Sequence, residues 1–382
     1  MFGFGKKRSR KETVMVVSIE SSHVRACFVD VEDMTKPYIT KQSKASFATS
    51  HTSFGEYKKN MEHAIGTSLL ALQKGMVATP SQIFCVLGNP WYVASSHTHT
   101  TEEDNPFKFN KGISQEILKE ETVRFVSKVK NDYFSGLPVE VIEKKIIHLA
   151  INGYPVTTIP KNEKIRRADI VSYVSVTSES IIKDITTSIN QHFHREVTFA
   201  TSALSHFVAV RDIFDSVGSF LAVAITGDQT EIIAVDDGSL LSVANFPVGS
   251  NVLHKHSNSQ GAHVQSVLTT VKDTNLPKNK KVSSVSVLAA REWQEGFEKI
   301  IYSLARNHSV QNSVVLLCDR EYAEWFTSVI QDSRNKHLST SNQNFRVIIL
   351  DMETLHSYVG SKVPDADLEL VVHTLFTTLN IL

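Results

Sequence analysis

The residues best placed to do chemistry gather at one tight turn. In AVAITGDQTEIIAVDDGSLLSVANFPVGSN, residues 222–251, Gly227 and Asp228 sit between two apolar runs, with Thr230 and Glu231 just beyond. A glycine lets the backbone approach a ligand closely, so that its amides can face a phosphate. A hydroxyl and a carboxylate beside it are the groups that organise Mg²⁺ and water in phosphoryl transfer. Yet Ala224 stands on the strand before the turn, where metal-dependent nucleotide chemistry wants an acid. Gly227-Asp228 is also an ordinary turn pair, so a phosphate loop and a simple hairpin both remain open. A second turn, Glu20–Ser22 in TVMVVSIESSHVRACFVDVED (13–33), offers the hydroxyls of Ser21 and Ser22.

Other constellations are weaker. His97 and His99, and again His192 and His194, are spaced to share one side of a strand, but no Cys or acid cluster accompanies them and no metal site is expected. His254, His256 and His263 lie in a polar stretch and read as solvated, as does the basic run LPKNKKVSS (276–284). No Walker or GxGxxG motif is present, and spacing supports no nucleophile–His–Asp arrangement. No catalytic residue is therefore assigned. Cys27, Cys85 and Cys318 are far apart, which argues against a disulfide framework or a zinc site and fits a reducing cytoplasm.

The elements that must position the turns follow from hydrophobic patterning over 382 residues, enough for two or more domains. Forty basic residues balance forty acidic ones, which gives no bulk electrostatic case for nucleic acid. No apolar run reaches the ~18 residues of a membrane span. The leader MFGFGKKRSRKE (1–12) reads as disordered, with Phe2 and Phe4 beside Lys6, Lys7, Arg8 and Arg10 allowing at most peripheral membrane contact. Residues 13–33 read as two strands and 39–50 as a third. A helix follows over 55–75, with Met61, Ile65, Leu69 and Leu72 on one face, then a buried strand in SQIFCVLGNPWYVAS. Residues 96–112 read as an exposed linker. Beyond it Ser114 opens a helix with Ile117, Val123, Phe125 and Val126 on its apolar side. Two strands and a helix carrying Ile181, Ile182, Ile185 and Ile189 complete an α+β block over 100–194. A short helix lies near 203–214. Strands near 219–226, 229–236 and 239–247 turn at Asp237-Gly238, and an amphipathic helix spans REWQEGFEKIIYSLARN. Three strands and a helix thus occur twice, near 13–75 and near 219–305. Leu368, Val371, Val372, Leu375 and Leu379 make a stripe on a last helix, read as the closing helix of the first domain.

VVSIESSHVRACFVD and residues 222–251 resemble the two phosphate loops of the actin/Hsp70/sugar-kinase superfamily, in the version carried by bacterial FtsA and PilM. SVVLLCDREYAEWF falls where the adenosine motif belongs, and the block 100–194 falls where that subfamily carries an SHS2-type insert. The resemblance implies an α/β, two-domain actin-like (ribonuclease H-like) fold with an inserted α+β SHS2-type subdomain. Its layout would be leader 1–12, domain I over 13–99, insert 100–194, a domain I helix over 195–216, domain II over 217–345, and a domain I strand and helix over 346–382. It also implies which residues would contact nucleotide: Ser21, Ser22, Gly227, Asp228, Thr230 and Glu231, the last standing in for an Asp.

Departures from the pattern fall on the residues that matter. Ser18 and Ala224 replace the two Asp, Glu20 and Thr226 replace Gly, and LLCDREY replaces the Gly-Gly stretch that admits adenine. ATP with Mg²⁺ is accordingly disfavoured, and the expectation is a pseudo-ATPase. The implied role is a PilM-like adaptor of type IV pilus assembly, cytoplasmic and peripheral to the inner face of the plasma membrane. It would hold a cytoplasmic peptide of an inner-membrane partner or associate with itself. The alternatives are an FtsA-like cell-division protein tethering a tubulin-like ring, and an active filament-forming ATPase.

Overall fold

A computed structural model describes residues 11–32, 35–48, 53–75, 79–156, 158, 164–214, 218–272, 280–306, 310–333 and 344–379. The chain opens with β1 (Lys11–Ile19), β2 (His23–Glu32), β3 (Tyr38–Ser46), α1 (Phe54–Gln73) and β4 (Gln82–Leu87). Next come β5 (Val93–Lys108), α2 (Lys111–Asp132), β6 (Val139–Ile151), β7 (Tyr154–Pro155), β8 (Lys164–Ser178) and α3 (Glu179–Asn190). Then follow β9 (Val197–Thr201), α4 (Ser202–Ile213), β10 (Phe220–Ile225), β11 (Thr230–Asp236), β12 (Ser239–Phe246), α5 (Asn251–Gln260), α6 (Val264–Lys272) and α7 (Lys280–Ala305). The chain closes with β13 (Ser313–Cys318), α8 (Ala323–Asp332), β14 (Arg346–Ile349), α9 (Met352–Leu355), β15 (Gly360–Ser361) and α10 (Leu368–Leu379).

Two sheets share one plan. The first runs β15-β3-β2-β1-β4-β9 and the second β12-β11-β10-β13-β14. In each, three consecutive antiparallel strands are extended by strands parallel to the first of the three. Val14 through Val17 are buried on both strand faces, as expected where helices cover a sheet on each side. In β10 the alternation is informative. Phe220, Ala222 and Ala224 join the core of the first sheet, while Leu221, Val223 and Ile225 face the core beneath α7 and α8. One face of the second sheet therefore packs directly into the first half.

The third sheet, β5-β8-β6-β7, is the insert. Here the linker expected over 96–112 is instead mostly strand: β5 pairs antiparallel with β8 from Val93↔Val176 onward. Its polar residues suit an edge strand, where one side of the ladder faces water. The helix after it starts at Lys111, before Ser114. Asn110 is the cap, its Oδ1 accepting from the Ile113 N–H at 3.1 Å. Val123, expected on the apolar side, is 59% exposed, whereas Phe125 and Val126 pack inward. Ser178 caps α3, whose Ile181, Ile185 and Ile189 enter the first core and whose Asp184 pairs with Lys58 of α1 at 2.6 Å.

Further differences concern the ends of elements. The strand at 346–349, expected with the first domain, pairs with β13 in the second sheet, because Leu316 and its neighbours offer it a free parallel edge. The two-residue β15 is what returns the chain to the first sheet, against β3. Of the basic run 276–284, residues 280–284 open α7 and 276–279 lie outside the described residues. The leader residues Met1–Arg10 also lie outside them, while Lys11 and Glu12 belong to β1. Helix α10 packs on β1, β2 and α4, and is buried nearly all round except at Leu379. No described helix is long and apolar enough to cross a membrane.

Candidate functional site: a cleft closed on itself

The turns β1–β2 and β10–β11 are equivalent in the two halves. Ile19 pairs with Val24 and Ile225 with Thr230, and each turn closes with the same bond: Glu20 N–H to His23 O, and Thr226 N–H to Gln229 O, both 2.9 Å. Glu20 thus corresponds to Thr226, Ser21 to Gly227, and Arg25 to Glu231. The turns face each other and touch. The Asp228 N–H donates to Ser21 Oγ at 3.0 Å, and Ser21 Oγ lies 3.3 Å from Thr226 Oγ1. A Cβ on Gly227 would stand 1.9 Å from Ser22 Oγ. The glycine is needed here for the approach of the opposite turn.

The six residues expected to contact nucleotide are brought together only in part. Ser21, Ser22, Gly227 and Asp228 meet at this contact. Ser22 Oγ pairs with His23 Nδ1 at 2.8 Å, and Asp228 Oδ1 accepts from Asn251 Nδ2 at 3.0 Å. Thr230 turns into the second core, where its hydroxyl donates to Val248 O at 2.7 Å and accepts from Trp293 Nε1 at 2.9 Å. Glu231 reaches into the first half. Its carboxylate accepts from Asn89 Nδ2 at 2.6 Å and from the Tyr92 hydroxyl, and meets Ser202 Oγ at 3.3 Å and His206 Nδ1 at 3.2 Å.

Arg25, which sequence reasoning missed, occupies the middle of the cleft. It is 2% exposed. Its guanidinium bonds Glu20, then Asp367 at 2.8 Å and Asp319 at 3.3 Å, and Lys44 adds a contact to Asp319 at 3.3 Å. Asp319 belongs to the LLCDREY stretch, so the Arg25 side chain ties the two halves together. Burial alone would lower the pKa of Arg25, but Glu20, Asp367 and Asp319 raise it well above its ordinary value. Burial lifts the Glu20 carboxyl to about 7 against the pull of Arg25. Burial, with Arg25 and Lys44, pushes His23 down to about 3. The sequence held one signal for this cluster: an arginine inside an otherwise apolar strand, HVRACFVDV.

Behind it lies a second cluster that sequence reasoning also missed. His206 Nε2 lies 2.8 Å from Glu369 Oε2, His373 Nε2 lies 3.5 Å from the same oxygen, and the two rings stack at 5.4 Å. Burial opposes charge on His206, but Glu369 and Glu231 lift it to about 10. Burial would raise Glu369, but His206, His373 and Arg25 hold it at about 2. Burial pushes His373 down to about 3. The signal was Glu369 and His373 four residues apart on an apolar helix, which places them on one face.

The two halves, with one strand order and facing hairpin turns, are a duplicated plan. The chain has the actin-like ATPase fold. No protein-family model matches it, and no curated protein matches its sequence. Among solved structures it is similar to the "PilM-PilN type IV pilus biogenesis complex", with TM-score 0.60 and 9% identity over 96% of this chain and 98% of that one. A protein from Bacteroides thetaiotaomicron "with actin-like ATPase fold and unknown function" matches at TM-score 0.42 and 8% identity, covering 91% of this chain and 96% of that one. The ethanolamine utilization protein EutJ from Carboxydothermus hydrogenoformans matches at TM-score 0.44 and 10% identity, covering 95% and 89%.

The residues of this cleft do not fit a nucleotide with Mg²⁺. The space between the turns and Tyr322 amounts to about 140 Å³, where pockets for organic ligands run about 300–1,000 Å³. Glu20 puts a carboxyl group into the lining of this space, and the Asp228 amide is already spent on Ser21.

Proposed function

We propose that this chain is a non-catalytic, PilM-like adaptor at the cytoplasmic face of the inner membrane, an actin-like scaffold that holds a short peptide of a membrane partner. The observation that carries the reading is the cleft itself, narrowed by Arg25 and its three carboxylates and bridged from Ser21 to Asp228. A closed interdomain cleft leaves the outer surfaces to do the work. The fold similarity to the PilM-PilN complex supports a peptide-holding role. So does an open groove of about 630 Å³ between α3 and the start of β6, lined by Leu137, Pro138, Glu140, Ile182 and Lys183. Leu137 is 59% exposed, an apolar side chain available to a partner.

Two measurements test the proposal. In a thermal-shift titration with ATP and Mg²⁺, the midpoint should stay within error of the ligand-free value, since a ligand that binds only the folded state must stabilise it. A rise of several degrees would overturn the pseudo-ATPase reading. A photo-crosslinker at Leu137, irradiated in cells, should trap the cytoplasmic segment of a membrane protein. Crosslinks confined to soluble proteins would overturn the adaptor reading.

A further inference from the structure

We propose that His206, Glu369 and His373 form a binding site for a divalent transition-metal cation of the zinc class, buried where the two halves meet. Each residue offers one ligand atom, and the three lie within 4.8 Å of one another; His206 Nε2 and His373 Nε2 are 2.8 and 3.5 Å from Glu369 Oε2. A tetrahedral zinc with bonds of about 2.0–2.1 Å draws its ligands from atoms so spaced, and two His with one Glu is an established zinc ligand set.

The surroundings are those a metal site needs. The outer nitrogen of each imidazole is already engaged: His206 Nδ1 at 3.2 Å from Glu231 Oε1, and His373 Nδ1 at 2.8 Å from Ser205 Oγ. A carboxylate holds the proton on His206 Nδ1 and leaves the Nε2 lone pair for a metal, and Ser205 Oγ can accept from His373 Nδ1 to the same effect. Beside the three ligands lies a cavity of about 10 Å³, walled also by Glu20, Ala224 and Glu231. That is the space of about one water, the fourth ligand of an open tetrahedral site. Glu20 helps to line the cavity, and its Oε2 is buried without a hydrogen-bond partner, an acceptor left over for a metal-bound water.

A cation held here would also lie beside the Glu231 carboxylate, and buried carboxylates are costly unless paired or metal-bound. The site would join α4 to α10 and, through Glu231, tie the second sheet to both.

The test uses the full chain purified without a histidine tag. Elemental analysis after dialysis should find one zinc-class ion per chain. Co²⁺ added to chelator-treated protein should give the visible d–d bands of tetrahedral N/O ligation, saturating at one equivalent. His373→Asn and Glu369→Gln should abolish the bands, and His254→Asn, outside the cluster, should keep them. Because substitutions in this core can unfold the chain, the wild-type protein decides alone. Folded wild type that carries no metal, gives no Co²⁺ bands and shows no change in thermal midpoint with Zn²⁺ or Co²⁺ overturns the proposal. His206 is then simply a protonated bridge between two carboxylates. This result is independent of the adaptor reading, which stands or falls on ATP and the Leu137 crosslink.

Discussion

The two hairpin turns that meet across the cleft have one backbone plan and opposite contents. The second is slim: Gly227 at its tip, Ala224 on the strand before it, and Ser250 and Asn251 donating to its carbonyls from behind at 2.9 and 2.7 Å. The first is crowded, with Glu20 at the position of Thr226 and two serines at the tip. Just past the turns, the equivalent positions hold opposite charges. Arg25 reaches Asp319 in the second half, and Glu231 reaches Asn89, Tyr92, Ser202 and His206 in the first. Each half therefore sends one buried charge into the other. The chain bridges its own halves, from the first to the second through Arg25 and back through Glu231.

The strongest way to break that comparison is to remove the charge from one turn. Arg25→Met leaves Glu20 without its cationic partner and leaves Asp367 and Asp319 only Lys44. Breaking a buried ion pair from one side costs about 3–5 kcal/mol. Urea unfolding should show a loss of that size. Removing Glu20 as well, in Arg25→Met with Glu20→Leu, should recover part of it, because the worst-buried carboxylate is then gone. A loss under about 1 kcal/mol, the worth of a surface pair, would mean that water already screens the cluster and that the halves are not held by it.

Much of the scaffold was legible in the sequence, and the reason is physical. Apolar alternation and turn residues are local signals. Asp237-Gly238 announces a hairpin because both residues take positive φ, 47° and 69°, which few other pairs accept. What was not legible is where charges go when the fold brings distant segments together. Arg25 meets residues 319 and 367, and His206 meets residues 369 and 373. No spacing encodes those meetings. The edge strand β5 escaped for a related reason: its partner β8 lies some seventy residues away and supplies the pairing that its own polar composition does not advertise.

A second break concerns shape. Gly227→Ala places a methyl 1.9 Å from Ser22 Oγ and 2.8 Å from Ser22 Cβ. Forcing a methyl into a packed contact costs about 1–3 kcal/mol. Ser22→Gly in the same chain removes both obstructing atoms, so the double variant should be more stable than Gly227→Ala alone. The coupling from a double-mutant cycle in thermal or urea unfolding checks it. Additive losses would show that the turns do not meet at Ser22 in solution.

The mildest change isolates the stitch itself. Ser21→Ala removes the hydroxyl that accepts from the Asp228 N–H and leaves Arg25, Glu20 and Gly227 in place. Asp228 is only half-buried, so water can take the vacated position, and the loss should be about 1 kcal/mol or less. Hydrogen exchange gives the sharper readout. The Asp228 amide depends on Ser21 across the cleft, while the Thr226 amide donates to Gln229 O within its own turn. Exchange at Asp228 should therefore quicken several-fold in Ser21→Ala while Thr226 keeps its protection. If both amides quicken together, the second turn has no stability of its own and is held in shape by the first. If neither moves, the turns stand apart in solution, and the closure of the cleft rests on Arg25 and Glu231 alone.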